Sequence, residues 1–122
     1  MMHMRIRPEQ MEEFESDRRT DFKRRLVKHL RKHHVEKTKP HDDPEMMAIC
    51  EKSIEQAKKY DLTTEQSIAC FAQLQWLLGF NFESRSVCRF AVDILNDTEV
   101  HQNNRAKIAL ALAYQFHSRG IC

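Results

Sequence analysis

Apolar side chains recur along this chain at helical rather than alternating spacing. Met11, Phe14, Phe22, Leu26 and Leu30 fall at intervals compatible with one face of a long helix that opens after Arg7, takes Pro8 into its first turn and runs to about His34. Asp43-Pro44-Glu45 predicts a second start: an aspartate to cap exposed amides, a proline in the first turn and a carboxylate near the positive end. That helix runs to about Tyr60, with Met47, Cys50, Ile54 and Ala57 as its inward stripe and Glu51, Lys52, Glu55, Lys58 and Lys59 on the solvated side.

Thr63-Thr64-Glu65-Gln66 predicts a reciprocal cap, the Thr63 hydroxyl taking an amide while Gln66 reaches back. The third helix, to about Leu78, carries Ile68, Phe71, Ala72, Leu74, Trp76, Leu77 and Leu78, apolar over more than half its circumference, as a central helix touching several others would be. Gly79 closes it in the left-handed conformation, and Phe80 and Phe82 are expected to fold back onto the core. Ser84 or Ser86 caps a shorter fourth helix with Val87, Phe90, Ala91, Ile94 and Leu95 inward, ending near Asn96-Asp97. The last helix starts between Thr98 and Asn104 and passes Ile108, Leu110, Ala111, Leu112, Tyr114 and Phe116 to stop at Gly120.

Composition supports the same picture. Two glycines and three prolines in 122 residues leave too few turn positions for a sandwich or an α/β sheet. A charged fraction of 31% beside 41% hydrophobic residues suits helices that divide between core and water. No period of roughly 20 to 50 residues recurs, so repeat solenoids are not indicated. The expectation is an all-α, single-domain bundle of about five helices with a long N-terminal helix, spanning residues 1–122.

The apolar stretches, such as Ile108 to Tyr114, fall short of the ~20 residues a membrane span needs. Met1-Met2-His3-Met4-Arg5-Ile6-Arg7 lacks the features of a signal peptide, which predicts a cytoplasmic protein. Cys50, Cys70, Cys88 and Cys122 are widely spaced and read as core thiols rather than a disulfide framework.

Charge is split along the first helix. Glu9, Glu12, Glu13, Glu15 and Asp17 come first, and then Arg18, Arg19, Lys23, Arg24, Arg25, Lys28, Arg31, Lys32, Lys37 and Lys39. This order complements the helix dipole, and Glu15 with Arg19 or Asp21 with Arg25 make the favourable i, i+4 pairs. A basic run can also neutralise phosphates, but the whole chain is only +2 and lacks the interleaved aromatics of a single-strand binder. Arg18, Arg24, Arg25, Lys28, Arg31 and Lys32 are therefore the candidate partner-binding residues.

His29 and His33 lie one turn apart, a spacing that lets two imidazoles share a metal, with His34 and His41 nearby. A zinc-protease helix would place glutamate directly after the first histidine; here Leu30-Arg31-Lys32 fills the gap, and its two cations oppose a dication. No glycine-rich phosphate cradle and no glycine-flanked nucleophilic serine is present. Neither catalysis nor a metal or other cofactor is expected. Phe71, Trp76, Phe80 and Phe82 are read as core rather than as a ligand pocket.

Ala57-Lys58-Lys59-Tyr60-Asp61-Leu62-Thr63-Thr64-Glu65, followed by Leu78-Gly79-Phe80-Asn81-Phe82, resembles a group of small helical bacterial proteins associated with type VI secretion and similar effector gene clusters. The resemblance extends to Met4-Arg5-Ile6-Arg7-Pro8-Glu9-Gln10-Met11 and departs after Phe82, where Glu83-Ser84-Arg85-Ser86 replaces an acidic, proline-containing turn. It implies a protein that works by binding another protein, and it carries over no catalytic residues. The resulting expectation is a non-catalytic module of a bacterial secretion or effector system, either an immunity protein or an effector-accessory protein, whose partner is an effector or secretion component. A small nucleic-acid-binding regulator using the basic half of the first helix is the alternative. Homodimerisation through an exposed apolar helix face is compatible with either.

Overall fold

The computed structural model describes the backbone of residues 8–120 and the side chains of residues 17–120. Helix α1 spans Pro8–His33, the short α2 Val35–Thr38, α3 Asp43–Ala57, α4 Glu65–Leu78, α5 Arg89–Leu95 and α6 Gln102–Ser118. No strand occurs among the described residues, so the chain is an all-α bundle. Helix α4 lies at its centre, packed chiefly on α6 and also on α3 and α1, while α6 in turn covers α5.

The apolar stripe of α1 is buried as its spacing predicts, through Phe22, Leu26 and Leu30, with Val27 added; Met11 and Phe14 lie outside the described side chains. His34 interrupts the helix at φ −133° and ψ 57°, and the chain resumes as α2, where the Thr38 hydroxyl donates to the His34 carbonyl at 2.8 Å. The sequence pattern, which ends the first helix at about His34, predicts no element here.

Two caps sit one residue from their expected places. Asp42, not Asp43, caps α3: its extended backbone lets Oδ1 accept the Glu45 amide at 2.9 Å, and Asp43 and Pro44 occupy the first turn. Thr64, not Thr63, caps α4 by accepting the Ser67 amide at 3.1 Å. The displacement has a physical cause. The Thr63 amide is already taken, at 2.6 Å, by Oε1 of Gln102, which also accepts the Thr64 amide at 3.2 Å. The first residue of α6 thus caps the start of α4 from outside it.

Gly79 ends α4 with φ 106° and ψ 153°, a region open to glycine but outside the left-handed helical one, and its amide still donates to the Gln75 carbonyl. Phe82 returns to full burial as expected, edge-on to Phe71, whereas Phe80 stays 42% exposed with its ring against Trp76. Neither Ser84 nor Ser86 caps α5. The chain makes two 3-10 turns, Phe82–Ser84 and Ser86–Cys88, and enters the helix at Cys88 with no side-chain cap; Val87, expected inward, is left 47% exposed. In α3 the fully buried methionine is Met46, with Met47 only half-buried.

Two buried polar constellations join the helices. Ser53 of α3 donates to Oε1 of Gln75 in α4 at 2.6 Å, and Gln75 donates in turn to Oε1 of Gln56. Arg105, at the start of α6 and almost wholly buried, donates from Nε to the Val100 carbonyl at 3.0 Å and from Nη1 to the carbonyls of Tyr60 at 2.7 Å and Leu95 at 2.6 Å. Its charge is met by the negative ends of helical segments rather than by a carboxylate.

Candidate basic groove between the first and third helices

The candidate basic residues separate into two groups once α1 is placed against its neighbours. Arg25 is committed to the fold: it pairs with Asp21 at 3.1 Å and grips Glu65 of α4 with both terminal nitrogens, at 3.1 and 3.0 Å. Arg31 donates to the carbonyls of Thr38 and His41 and to Asp43, holding the turn that reverses the chain into α3. Arg19, which the sequence pairs with Glu15, engages Glu51 and Glu55 of α3, and Lys23 joins Glu51 at 3.1 Å; the Glu15 side chain lies outside the described ones. The acids that the sequence assigns to a solvated face of α3 therefore form its seam with α1. Arg19 hydrogen bonds hold the Glu51 and Glu55 carboxyls below their usual range.

Arg24, Lys28 and Lys32 form the second group, exposed at successive i, i+4 positions on one stripe of α1. Arg18 is exposed nearer the start of the helix and off that stripe. Like charges at this spacing repel and disfavour the helix by a few tenths of a kcal/mol per pair, roughly 0.2–0.5. Arg24 and Lys28 lead into a groove of about 570 Å³ that α1 forms with the start of α3, lined also by Val27, Arg31, Asp43, Pro44 and Met47. Its floor is apolar and its rim is basic, with Asp43 already engaged by Arg31. The inward stripe of α3 is buried at Cys50, Ile54 and Ala57 as expected, and only its first member differs: Met46 turns to the core and half-buried Met47 to the groove.

Burial pushes the Cys50 thiol up to about 11 and raises that of Cys70, so both stay protonated near neutral pH. His29 and His33 lie with ring centroids 4.3 Å apart, but no group of three or more His, Cys, Asp or Glu among the described residues is placed to hold a metal. No helix among them is long and apolar enough to cross a membrane.

The histidines give the protein a pH dependence of stability. Burial, then Lys37, His33 and His29, lower the His34 imidazole below its ordinary 6.5, and burial followed by His33 lowers His29. His34 Nε2 is buried without a hydrogen-bond partner among the described residues. Because the folded values are depressed, the unfolded chain binds more protons, so this stability is complete above about pH 6.5 and is lost as pH falls through the folded values. The urea midpoint should drop between about pH 7 and about pH 5. His34→Gln should flatten that drop, and an equal drop in the variant would remove His34 from the account.

No protein-family model, curated protein or solved structure matches the chain.

Proposed function

We propose that the protein is a non-catalytic binding module that receives an acidic, apolar-anchored segment of another protein in the groove between α1 and α3. The observation that carries this reading is the combination of mutually repelling, solvent-facing Arg24 and Lys28 with a floor of Val27, Pro44 and Met47. A carboxylate-bearing segment would relieve the repulsion and cover the apolar floor in one event, the way an amphipathic helix seats in a groove. The setting suggested by the resemblance of residues 57–65 and 78–82 is a bacterial secretion or effector locus, with the protein acting there as antidote or escort. The alternative, nucleic-acid binding by the basic half of α1, has fewer cations to draw on, because Arg19, Lys23 and Arg25 are already paired with Glu51, Glu55 and Glu65.

The test is affinity purification of the tagged chain from its native host beside the double variant Arg24→Glu/Lys28→Glu, with mass spectrometry and light scattering. A stoichiometric protein partner should be recovered with the natural chain, and the variant should bind it at least about tenfold more weakly, equivalent to ~1.4 kcal/mol. Arg25→Glu belongs outside this test, since it breaks the Glu65 pair and reports on stability. Equal partner binding by the double variant would move the site elsewhere. Recovery of nucleic acid, with affinity falling steeply as salt rises, would replace this reading with the alternative.

A further inference from the structure

Ile49, Lys52 and Gln56 follow one another at i, i+3 and i+7 on a face of α3 turned away from Met47 and the basic groove. With His41 in the turn before α3, and with Trp76 and Phe80 at and just past the end of α4, they enclose a second cleft of about 420 Å³. Phe71 and Phe82, which the sequence groups with Trp76 and Phe80 as core, are fully buried. Trp76 and Phe80 form a wall of this cleft instead, their rings edge to face at 5.2 Å, and the His41 ring meets Trp76 edge-on at 5.7 Å. His41 is itself fixed: its carbonyl accepts from Arg31, and its Nδ1 lies 3.1 Å from Oε2 of Glu45.

The polar groups of the cleft are of one kind. Trp76 is almost wholly buried, yet its Nε1–H has no acceptor among the described residues. A buried indole N–H ordinarily finds one, and leaving it unpaired costs stability. Lys52 is exposed and makes no ion pair among the described residues. Gln56 has its amide oxygen engaged by Gln75, which leaves its amide nitrogen as the group to offer a ligand. No carboxylate lines the cleft. Donors and one positive charge therefore meet at an aromatic wall, and Phe80 leaves part of that wall open to water.

We propose that this cleft is a binding site for a small aromatic carboxylate. The ring of such a ligand would lie against Trp76 and Phe80 over Ile49, and its carboxylate would accept the Trp76 N–H and face Lys52. The ligand would pair the buried donor, neutralise the lysine and cover Phe80 together, as a few polar groups in an apolar pocket do when they fix a ligand's orientation. An aromatic wall can also hold a cation, but Lys52 opposes one here. The cleft shares no lining residue with the groove between α1 and α3.

Trp76 is the single tryptophan of the chain, so the indole N–H of the ¹⁵N-labelled protein gives one assigned cross-peak that reports on the site. Titration of the full chain with phenylacetate should move that proton downfield and saturate with a dissociation constant of about 1 mM, as befits a fragment of this size. Phenylacetamide keeps the ring and the acceptor without the charge, and should bind about fivefold more weakly. 2-Phenylethylammonium should leave the peak in place. Lys52→Gln, at an exposed and unpaired position, should bring phenylacetate down to the affinity of phenylacetamide and leave phenylacetamide unchanged; a dispersed spectrum shows that the variant is folded. Arg24→Glu/Lys28→Glu should titrate like the natural chain, so failure of the groove reading and failure of this one are distinguishable. The same carboxylate could arrive as the C-terminal phenylalanine of a peptide. N-acetyl-glycyl-phenylalanine binding about tenfold more tightly than phenylacetate would overturn the small-molecule proposal and assign the cleft to a chain end. An indole peak unmoved at about 20 mM phenylacetate, an equal response to 2-phenylethylammonium, or a Lys52→Gln variant that binds phenylacetate like the natural chain would each overturn it as well.

Discussion

Arg105→Ala should lower the unfolding free energy by about 3 kcal/mol, since it leaves several buried carbonyls without a donor and opens a cavity at the junction of three elements. For a domain of this size that loss corresponds to a fall of roughly 10 °C in melting temperature. The three acceptors belong to Tyr60, after α3; to Leu95, the last residue of α5; and to Val100, in the loop before α6. A single planar guanidinium serves all of them. Arg105→Lys should therefore recover less than half of the loss, because an ammonium offers one point of attachment where the guanidinium offers a fork. Thermal melts of the two variants beside the natural chain decide the matter. A lysine variant as stable as the parent would mean that charge near the helix ends matters and the fork does not.

A comparable loss is expected from Gln75→Ala, about 3 kcal/mol, for a different reason. Gln75 is fully buried in the central helix and links Ser53 to Gln56 through its two amide atoms. Truncation leaves a hole and strands the Ser53 hydroxyl in a place that water does not reach. Removing the polar groups together should be milder: Gln75→Leu/Ser53→Ala ought to be more stable than the sum of its single variants predicts, by at least about 1 kcal/mol in a urea double-mutant cycle. Strict additivity would show that the hydroxyl and amide do not act as a unit.

Both of these residues show where reading the chain as a string reaches its limit. The helices themselves are legible, since Pro44, Thr64, Gly79 and Gly120 mark boundaries by local chemistry and the apolar stripes of α1 and α4 repeat with helical period. Local chemistry also explains the near misses. Asp42 and Asp43, like Thr63 and Thr64, are adjacent residues of equal capping ability, and the choice falls to partners distant in sequence, Arg31 for Asp43 and Gln102 for Thr63. Met46 and Met47 pose the same ambiguity of phase. Gln75 stands out in the string as one amide among Leu74, Trp76 and Leu77, a signal of a buried network that could have been taken up. Arg105 offers no comparable mark, because the carbonyls that hold it are 5, 10 and 45 residues away.

The candidate site divides along the same line. That α1 is basic toward its end is plain from its residues; which cations are spent within the fold is not. Glu65 is 40 residues from Arg25, and Glu51 is 32 from Arg19, so periodicity along one helix cannot pair them. Of the six candidate cations, Arg24, Lys28 and Arg31 meet at one groove, Arg25 turns to α4, and Arg18 and Lys32 remain exposed on α1 beyond it. The groove floor was hidden because it needs Met47 and Pro44 of another helix.

The cap that Gln102 supplies to Thr63 and Thr64 bears on how the molecule opens. Helix ends ordinarily fray one residue at a time, each losing only its own hydrogen bonds. Here the first turn of α4 cannot loosen without releasing the side chain of the first residue of α6, and α6 cannot peel away without uncovering the amides of α4. The two N-termini are a shared latch. They join the bundle's most interior helix and its last, so that the two should open together as one cooperative unit.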